Sequence, residues 1–315
     1  MIRKKSTLYT FVGFVQFVVK IKTFTVLDLT MRGSITSETI KQIRRNKVAL
    51  FGLFLVALLV FVGVFAPWVA PYDPYDADLD ISLHPPSFQH WLGTDEEGRD
   101  VLSRIIYGAR ISLKVGIIAS SISLFLGAFL GLLAGFFRGW TETIIMRFTD
   151  VMFGFPALLF MIGITAAVPR PSIEVAMLAI GLVSWPGMAR IMRSQVLTIA
   201  EQEYVTAARS LGYSRTRIIM RHVLPNSLAP VIVAFTMSIA GAVMAEASLS
   251  FIGLGAQPPE PSWGSMIAFG RMHLRGEWWI SVFPGMAIAV MVIGFNLFGE
   301  GLRDALDPTM RNKIK

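Results

Sequence analysis

The residues best placed to do chemistry in this 315-residue chain are a few charges set among apolar neighbours. Glu246 sits about 18 residues, or about 27 Å of helix, into an apolar run that opens at Leu228. Asp150 stands at the edge of another apolar run, beside Arg147. A charge inside such a run must be paired or must face water, so Glu246 and Asp150 are the candidate lining residues of a passage or gate. Pairing with a neighbouring helix serves Glu246 equally well, and contact with Arg147 or with headgroups serves Asp150. Metal chemistry has little support. The four histidines, His84, His90, His222 and His273, form no close ligand pair, and cysteine is absent.

The most informative stretch is Glu203-Tyr-Val-Thr-Ala-Ala-Arg-Ser-Leu-Gly212 followed by Tyr213-Ser-Arg-Thr-Arg-Ile-Ile-Met-Arg-His-Val-Leu-Pro225-Asn226. Helical spacing puts Tyr204, Ala207, Ala208 and Leu211 on one face with small residues at its centre. Gly212 suits the left-handed conformation that ends a helix, and Ser214 suits the cap of the next one. Pro225 biases Leu224 away from helix, which predicts a further turn there. The expected result is a short helix–turn–helix, rich in Arg, with an alanine-smooth face. A solvated loop has no need of that face, whereas a docking element does.

The elements that position these residues are apolar. Hydrophobic residues make up 54% of the chain and charged residues 16%, with mean hydropathy +0.59. Soluble domains carry about 25% charged residues, so the balance points to the membrane. A spanning helix needs roughly 20 apolar residues. Five runs approach that length: Val48–Ala70, Val115–Phe137, Val151–Pro169, Leu228–Ala245 and Trp278–Gly299; a sixth, Val175–Ala189, is shorter and can be extended by snorkelling of Glu174 and Arg190. The expected fold class is an all-α membrane protein with six transmembrane helices.

Basic residues set the expected orientation. With a cytoplasmic N-terminus, the cytoplasmic side holds ten before the first run, Arg138 and Arg147, six from Arg190 to Arg221, and four after Gly301. The other side holds seven, among a run of Asp and Glu. Both termini and the segment 201–226 are therefore expected in the cytoplasm. The net charge of +8 is a topology signal, not a nucleic-acid footprint. Residues 1–46 read as a cytoplasmic tail, 47–111 as the first helix and an external loop, 112–300 as a five-helix core, and 301–315 as a cytoplasmic tail. Leu8–Val19 follows Arg3, Lys4 and Lys5 but lacks a cleavage site, so residues 1–30 read as an extension with Met31 as an alternative start.

Between the runs, Tyr72–Arg110 opens with prolines and acids expected to be irregular and solvated, and Gly98–Ser112 reads as an amphipathic helix lying at the outer interface. Trp278 and Trp279 suggest an aromatic-belt anchor. Gly127, Gly131 and Gly135 form a stripe for close helix approach, most simply within the chain. Pro156, Pro186 and Pro284 are expected to kink their helices.

The segment 203–226 resembles the EAA loop of permeases in binding-protein-dependent ABC importers. That pattern runs Glu-Ala-Ala, three residues, Gly, nine residues, Ile, any residue, Leu-Pro. Ala207, Ala208, Gly212, Leu224 and Pro225 fall in register, while Thr206 replaces Glu and His222 replaces Ile. Three more stretches, Leu92–Arg110, Ala245–Gly255 and Gly301–Pro308, are similar to the "C" permeases of the peptide/nickel branch. The resemblance covers roughly Asn46 to Asn312.

It implies a type I importer fold and a non-catalytic subunit without cofactors. The implied partners are a second homologous permease, two cytoplasmic ATPases, an external solute-binding protein and the lipid bilayer of the cytoplasmic membrane. Glu203, Tyr204, Thr206, Ala207, Ala208, Leu211, Gly212, Leu224 and Pro225 would carry coupling to an ATPase, with Glu201 or Glu203 supplying the carboxylate that Thr206 lacks. No Gly-Lys dipeptide occurs, so a P-loop must lie in another chain. Peptides are the implied cargo. Nickel chelates or oligosaccharides are alternatives within the same architecture, and an ATP-independent secondary transporter is the alternative outside it.

Overall fold

The computed structural model describes residues 42–306. The chain divides into two units, residues 1–47 and 48–315. Only residues 42–47 of the first are described, so Leu8–Val19 and the alternative start at Met31 lie outside the described residues. Among the described residues the regular elements are helical, apart from one isolated bridge between Thr94 and Asp100.

The second unit is a bundle of long apolar helices: α1 (Lys47–Val64), the short α2 (Ala66–Val69), α3 (Val101–Phe137), α4 (Gly139–Gly154), α5 (Ala157–Ala166) and α6 (Ile173–Ala200). After α6 come α7 (Glu203–Ser210), α8 (Arg215–Ile218), α9 (Leu224–Phe251), α10 (Trp263–Gly270) and α11 (Trp279–Leu306). Five helices are long and apolar enough to cross a membrane, and α4 with α5 makes a sixth when taken as one bent span.

Each expected run falls on a helix, but three boundaries differ for physical reasons. The segment Gly98–Ser112 is not a separate interfacial helix. It is the first turns of α3, capped by the Asp100 carboxylate, which accepts from the Ser103 backbone N–H at 2.7 Å and from its hydroxyl at 2.8 Å. The third run is broken by 88° at Pro156, more than a kink, and its first half begins at Gly139. Pro186 and Pro284 instead lie inside uninterrupted α6 and α11. The run from Val175 extends to Ala200, so α6 has 28 residues and ample length to span.

Packing centres on α3 and α6. A Cβ at Gly127 would meet the Trp185 carbonyl oxygen at 2.6 Å, one at Gly131 would collide with the Ala189 carbonyl, and one at Gly135 would meet Val196 Cβ at 2.8 Å. The stripe therefore lets the two backbones touch within one chain. The connection leading into α3 is also more ordered than its composition suggests. Asp95, Arg99, Asp100 and Arg104 are all buried; Arg99 and Arg104 both reach Asp95 Oδ2, at 2.8 and 3.3 Å, and Arg104 donates to the Pro74 carbonyl at 2.9 Å. The indole of Trp279 donates to the Thr94 carbonyl at 3.2 Å and is buried, so Trp279 is a core residue and not a belt anchor. Trp278 beside it stays exposed.

Replacing Gly131 by Leu should destabilise the bundle by about 1–3 kcal/mol through overpacking. Leu at Gly163, whose Cβ would meet nothing within 4 Å, should leave stability unchanged. Thermal melting of the detergent-purified variants checks this, and equal melting temperatures would contradict the close approach.

Candidate functional site

The segment from Glu201 to Asn226 forms one projecting unit at the end of the bundle where α6 finishes and α9 begins. Val205 and Ala208 are buried in a cluster with Met188, Met192 and Val196 of α6 and with Ile218, Val223 and Val231. These contacts fix the inner face of α7. Tyr204, Ala207 and Leu211 point away, and Leu211 is 72% exposed. The expected face is thus split: Ala208 turns inward as an anchor, and Tyr204, Ala207 and Leu211 remain exposed to solvent. An exposed apolar row on an anchored helix is a candidate contact surface for another chain.

The end of α7 is fixed by a Schellman motif. Tyr213 N–H donates to the Ala208 carbonyl at 3.2 Å and Gly212 N–H to that of Arg209 at 2.9 Å, with Gly212 at φ +76°. Ser214 Oγ then accepts from Arg217 N–H at 3.3 Å, which starts α8 as expected from its type. Arg217 lies over the Tyr213 ring at 4.3 Å.

The turn expected at Pro225 is absent. The chain continues from α8 through a π-helical segment, Ile219–Val223, straight into α9, with Leu224 and Pro225 in its first turn and partly buried. Proline in a helix removes a donor and collides with the carbonyl four residues back. The wider π turn relieves that collision, and Leu224 N–H reaches the Ile219 carbonyl instead. The Asn226 side-chain amide donates to the His222 carbonyl at 2.6 Å. His222 itself lies near the rings of Tyr204 and Tyr213, with centroids 6.3 and 6.5 Å away. An aromatic ring thus fills the place where Ile was expected.

The acidic residues separate by partner. Glu201 is held by Arg138 at 2.8 Å. Thr206 is exposed, and its hydroxyl turns back to the Gln202 carbonyl at 3.4 Å. Glu203 is exposed in the first turn of α7, with no ion pair among the described residues. Its charge suits the helix N-terminus and leaves it available to a second chain.

Asp150 pairs with Arg190 on α6 at 2.6 Å, not with Arg147, and both side chains are half exposed. Glu142 of α4 pairs with Arg193 one turn further along α6. Sequence reading missed Arg190, Arg193 and Glu142 because their partners lie 40 and 51 residues away.

Glu246 is far from this end and fully buried, so it lines no open surface here. Its Oε1 accepts from the hydroxyls of Ser250 at 2.6 Å and Ser262 at 2.8 Å. The carboxylate therefore ties the end of α9 to the segment leading into α10.

Gly212→Val should raise the cost of the α7 turn by about 1–2 kcal/mol, because a β-branched side chain disfavours positive φ. The Cβ meets no atom within 4 Å, so the effect is confined to the backbone. Amide hydrogen exchange in α7 should then quicken about 5- to 30-fold, while Gly212→Asn should change it little. Unchanged protection in the Val variant would contradict the Schellman assignment.

Residues 127–312 match the family described as binding-protein-dependent transport system inner membrane component, and residues 34–86 match the N-terminal TM domain of oligopeptide transport permease C. The chain is 42% identical over 275 residues to the dipeptide transport system permease protein DppC of Alkalihalophilus pseudofirmus, covering 87% of this chain and 90% of the relative. It is 45% identical over 273 residues to the di/tripeptide transport system permease protein DppC of Pseudomonas aeruginosa, covering 85% and 90%. A glutathione transport system permease, GsiD of Escherichia coli, is 42% identical, with 86% and 89% covered. Among solved structures, an inward-facing MetNI methionine ABC transporter chain shares the fold with TM-score 0.56 and 14% identity, over 65% of this chain and 97% of that one. The projecting helix pair, the membrane-length bundle and these likenesses converge: the chain belongs to the family of inner membrane components of binding-protein-dependent transport systems, as a multi-pass membrane permease.

Proposed function

We propose that this chain is the non-catalytic permease subunit of an ATP-driven peptide importer, and that α7 is the helix through which an ATPase subunit moves it. One observation carries the reading. Tyr204, Ala207 and Leu211 are held out as an exposed apolar row while Val205 and Ala208 anchor the same helix in the bundle. A helix anchored on one face and exposed on the other transmits a push from whatever covers the exposed face. Glu203 adds a free carboxylate beside that face for a basic residue of the ATPase. Hydrolysis itself belongs to two ATPase subunits.

The passage is formed with a second, homologous permease, and cargo arrives from an external solute-binding protein. Di- and oligopeptides are the cargo, supported by relatives whose names specify dipeptide and di/tripeptide transport. The basic residues of the 190–221 segment support a cytoplasmic position for α7, together with both termini.

Reconstitution with the second permease, the ATPases and a binding protein in proteoliposomes tests this directly. Peptide uptake should require ATP and the ATPase subunits. Uptake that continues unchanged without them would make the chain an ATP-independent transporter. Leu211→Asp should weaken docking by an amount of order 2 kcal/mol and depress ATP-driven uptake without loss of the inserted bundle. Full uptake in that variant would remove α7 from the coupling route.

A further inference from the structure

Exposed residues on the membrane-length helices sort into two kinds. On α1 they are apolar, as at Phe51, Phe54, Leu58 and Phe61, and suit lipid. The exposed side of α6 instead carries Ser184, Arg190, Ser194 and Thr198, within about one third of the helix circumference. On α4, Arg147 and Asp150 are exposed on one side, interleaved with the exposed apolar Ile144 and Val151. Arg190 lies 17 residues after the Ile173 start of α6, about 26 Å along the axis and so at the inner end of the span. Ser184 lies further in, within the apolar run, and polar groups on that face suit water or protein, not hydrocarbon.

We propose that this α4/α6 face lines the transport passage, and that the Asp150–Arg190 pair meets the charged termini of a peptide in transit. The inference rests on the reading of the chain as a peptide permease. The pair is a half-open dipole. Arg190 Nη2 donates to Asp150 Oδ1 at 2.6 Å, and each side chain is 50% exposed. Asp150 Oδ2 and the other guanidinium N–H groups have no hydrogen-bond partner among the described residues. The Phe153 ring lies under the guanidinium at 4.3 Å and is itself exposed, which gives the charge an apolar ledge.

A peptide presents the complementary pair, an α-carboxylate for the Arg190 fork and an α-ammonium for Asp150. Tethering α4 to α6 does not explain the openness. The neighbouring Glu142–Arg193 pair already joins the two helices and is more enclosed, at 23% and 33% exposure.

The test uses the fully assembled transporter in proteoliposomes. Cargoes are a tripeptide with free termini and its C-amidated form, compared at equal occupancy of the binding protein. Arg190→Gln should slow the free acid about tenfold or more, the worth of a hydrogen bond to a charged group, and leave the amide nearly unchanged. Asp150→Asn should do the same for the free amine against its N-acetylated form. Equal loss for both cargoes in each variant would make the pair a helix clamp and overturn the inference.

The chain has no cysteine, and Ser184 is exposed within the apolar run of α6, so Ser184→Cys can be probed with a charged thiol reagent and read as a mass shift of this subunit. It should be labelled in the assembled complex, whereas Leu58→Cys should not. Labelling in the isolated subunit but not in the complex, with or without ATP, would make the face a subunit interface and overturn the proposal. If the wild-type complex moves no peptide at all, the peptide reading fails and takes the cargo half of this inference with it. Ser184 labelling then decides the passage on its own.

Discussion

The contact on which the rest of the structure depends is the direct backbone approach of α3 and α6. Gly127, Gly131 and Gly135 leave no room for a methyl group against Trp185, Ala189 and Val196. In a membrane, apolar side chains gain little by leaving lipid for each other, so close van der Waals contact between small residues is what holds helices together. The paired helices then serve as a frame. The α4 helix is joined to α6 by the enclosed Glu142–Arg193 pair. The end of α6 leads directly into α7, and α9 packs against both members of the frame.

This arrangement gives a displacement of α7 a stiff route into the bundle. Val205 and Ala208 bear on Met192 and Val196 of α6. The Schellman turn and the Ser214 cap fix the angle between α7 and α8, and the π segment carries the helix past Pro225 without a break. The 28 residues of α9 then span about 42 Å. Its far end is tied by Glu246, through Ser262, to the segment before α10. Both ends of α9 are therefore gripped, one by the projecting helix pair and the other by the loop at the opposite end of the bundle. A hinge at Pro225 would have dissipated such a movement locally. Its replacement by a π turn is the largest consequence of the difference between expectation and structure.

Features set by local chemistry were legible in the sequence. The left-handed Gly212, the Ser214 cap and the apolar runs depend only on residue type and short-range spacing, and each is found in place. Features set by distant partners were not. Ala208 and Ala207 are adjacent and chemically identical, and only the packing of α6 decides which one is buried. Trp279 looks like an interfacial aromatic until the Thr94 carbonyl, 185 residues earlier, is placed beside its indole. Asp150 has a nearby Arg147 that sequence spacing favours, yet the packing of α6 beside α4 delivers Arg190 instead. Pro225 misled for a different reason: the usual rule describes an α-helix, and a π turn escapes it.

Disulfide capture at Ala207 tests the central claim most directly. The native chain contains no cysteine, and Ala207 is exposed on α7, so Ala207→Cys offers one reactive thiol on the proposed contact face. In the assembled transporter it should form an oxidant-dependent crosslink to a cysteine placed in the surface groove of an ATPase subunit. The crosslink should block ATP-driven uptake, and reduction should restore it. A thiol at Ala207 that stays free in the working complex, or a crosslinked complex that transports at the normal rate, would contradict the route through α7.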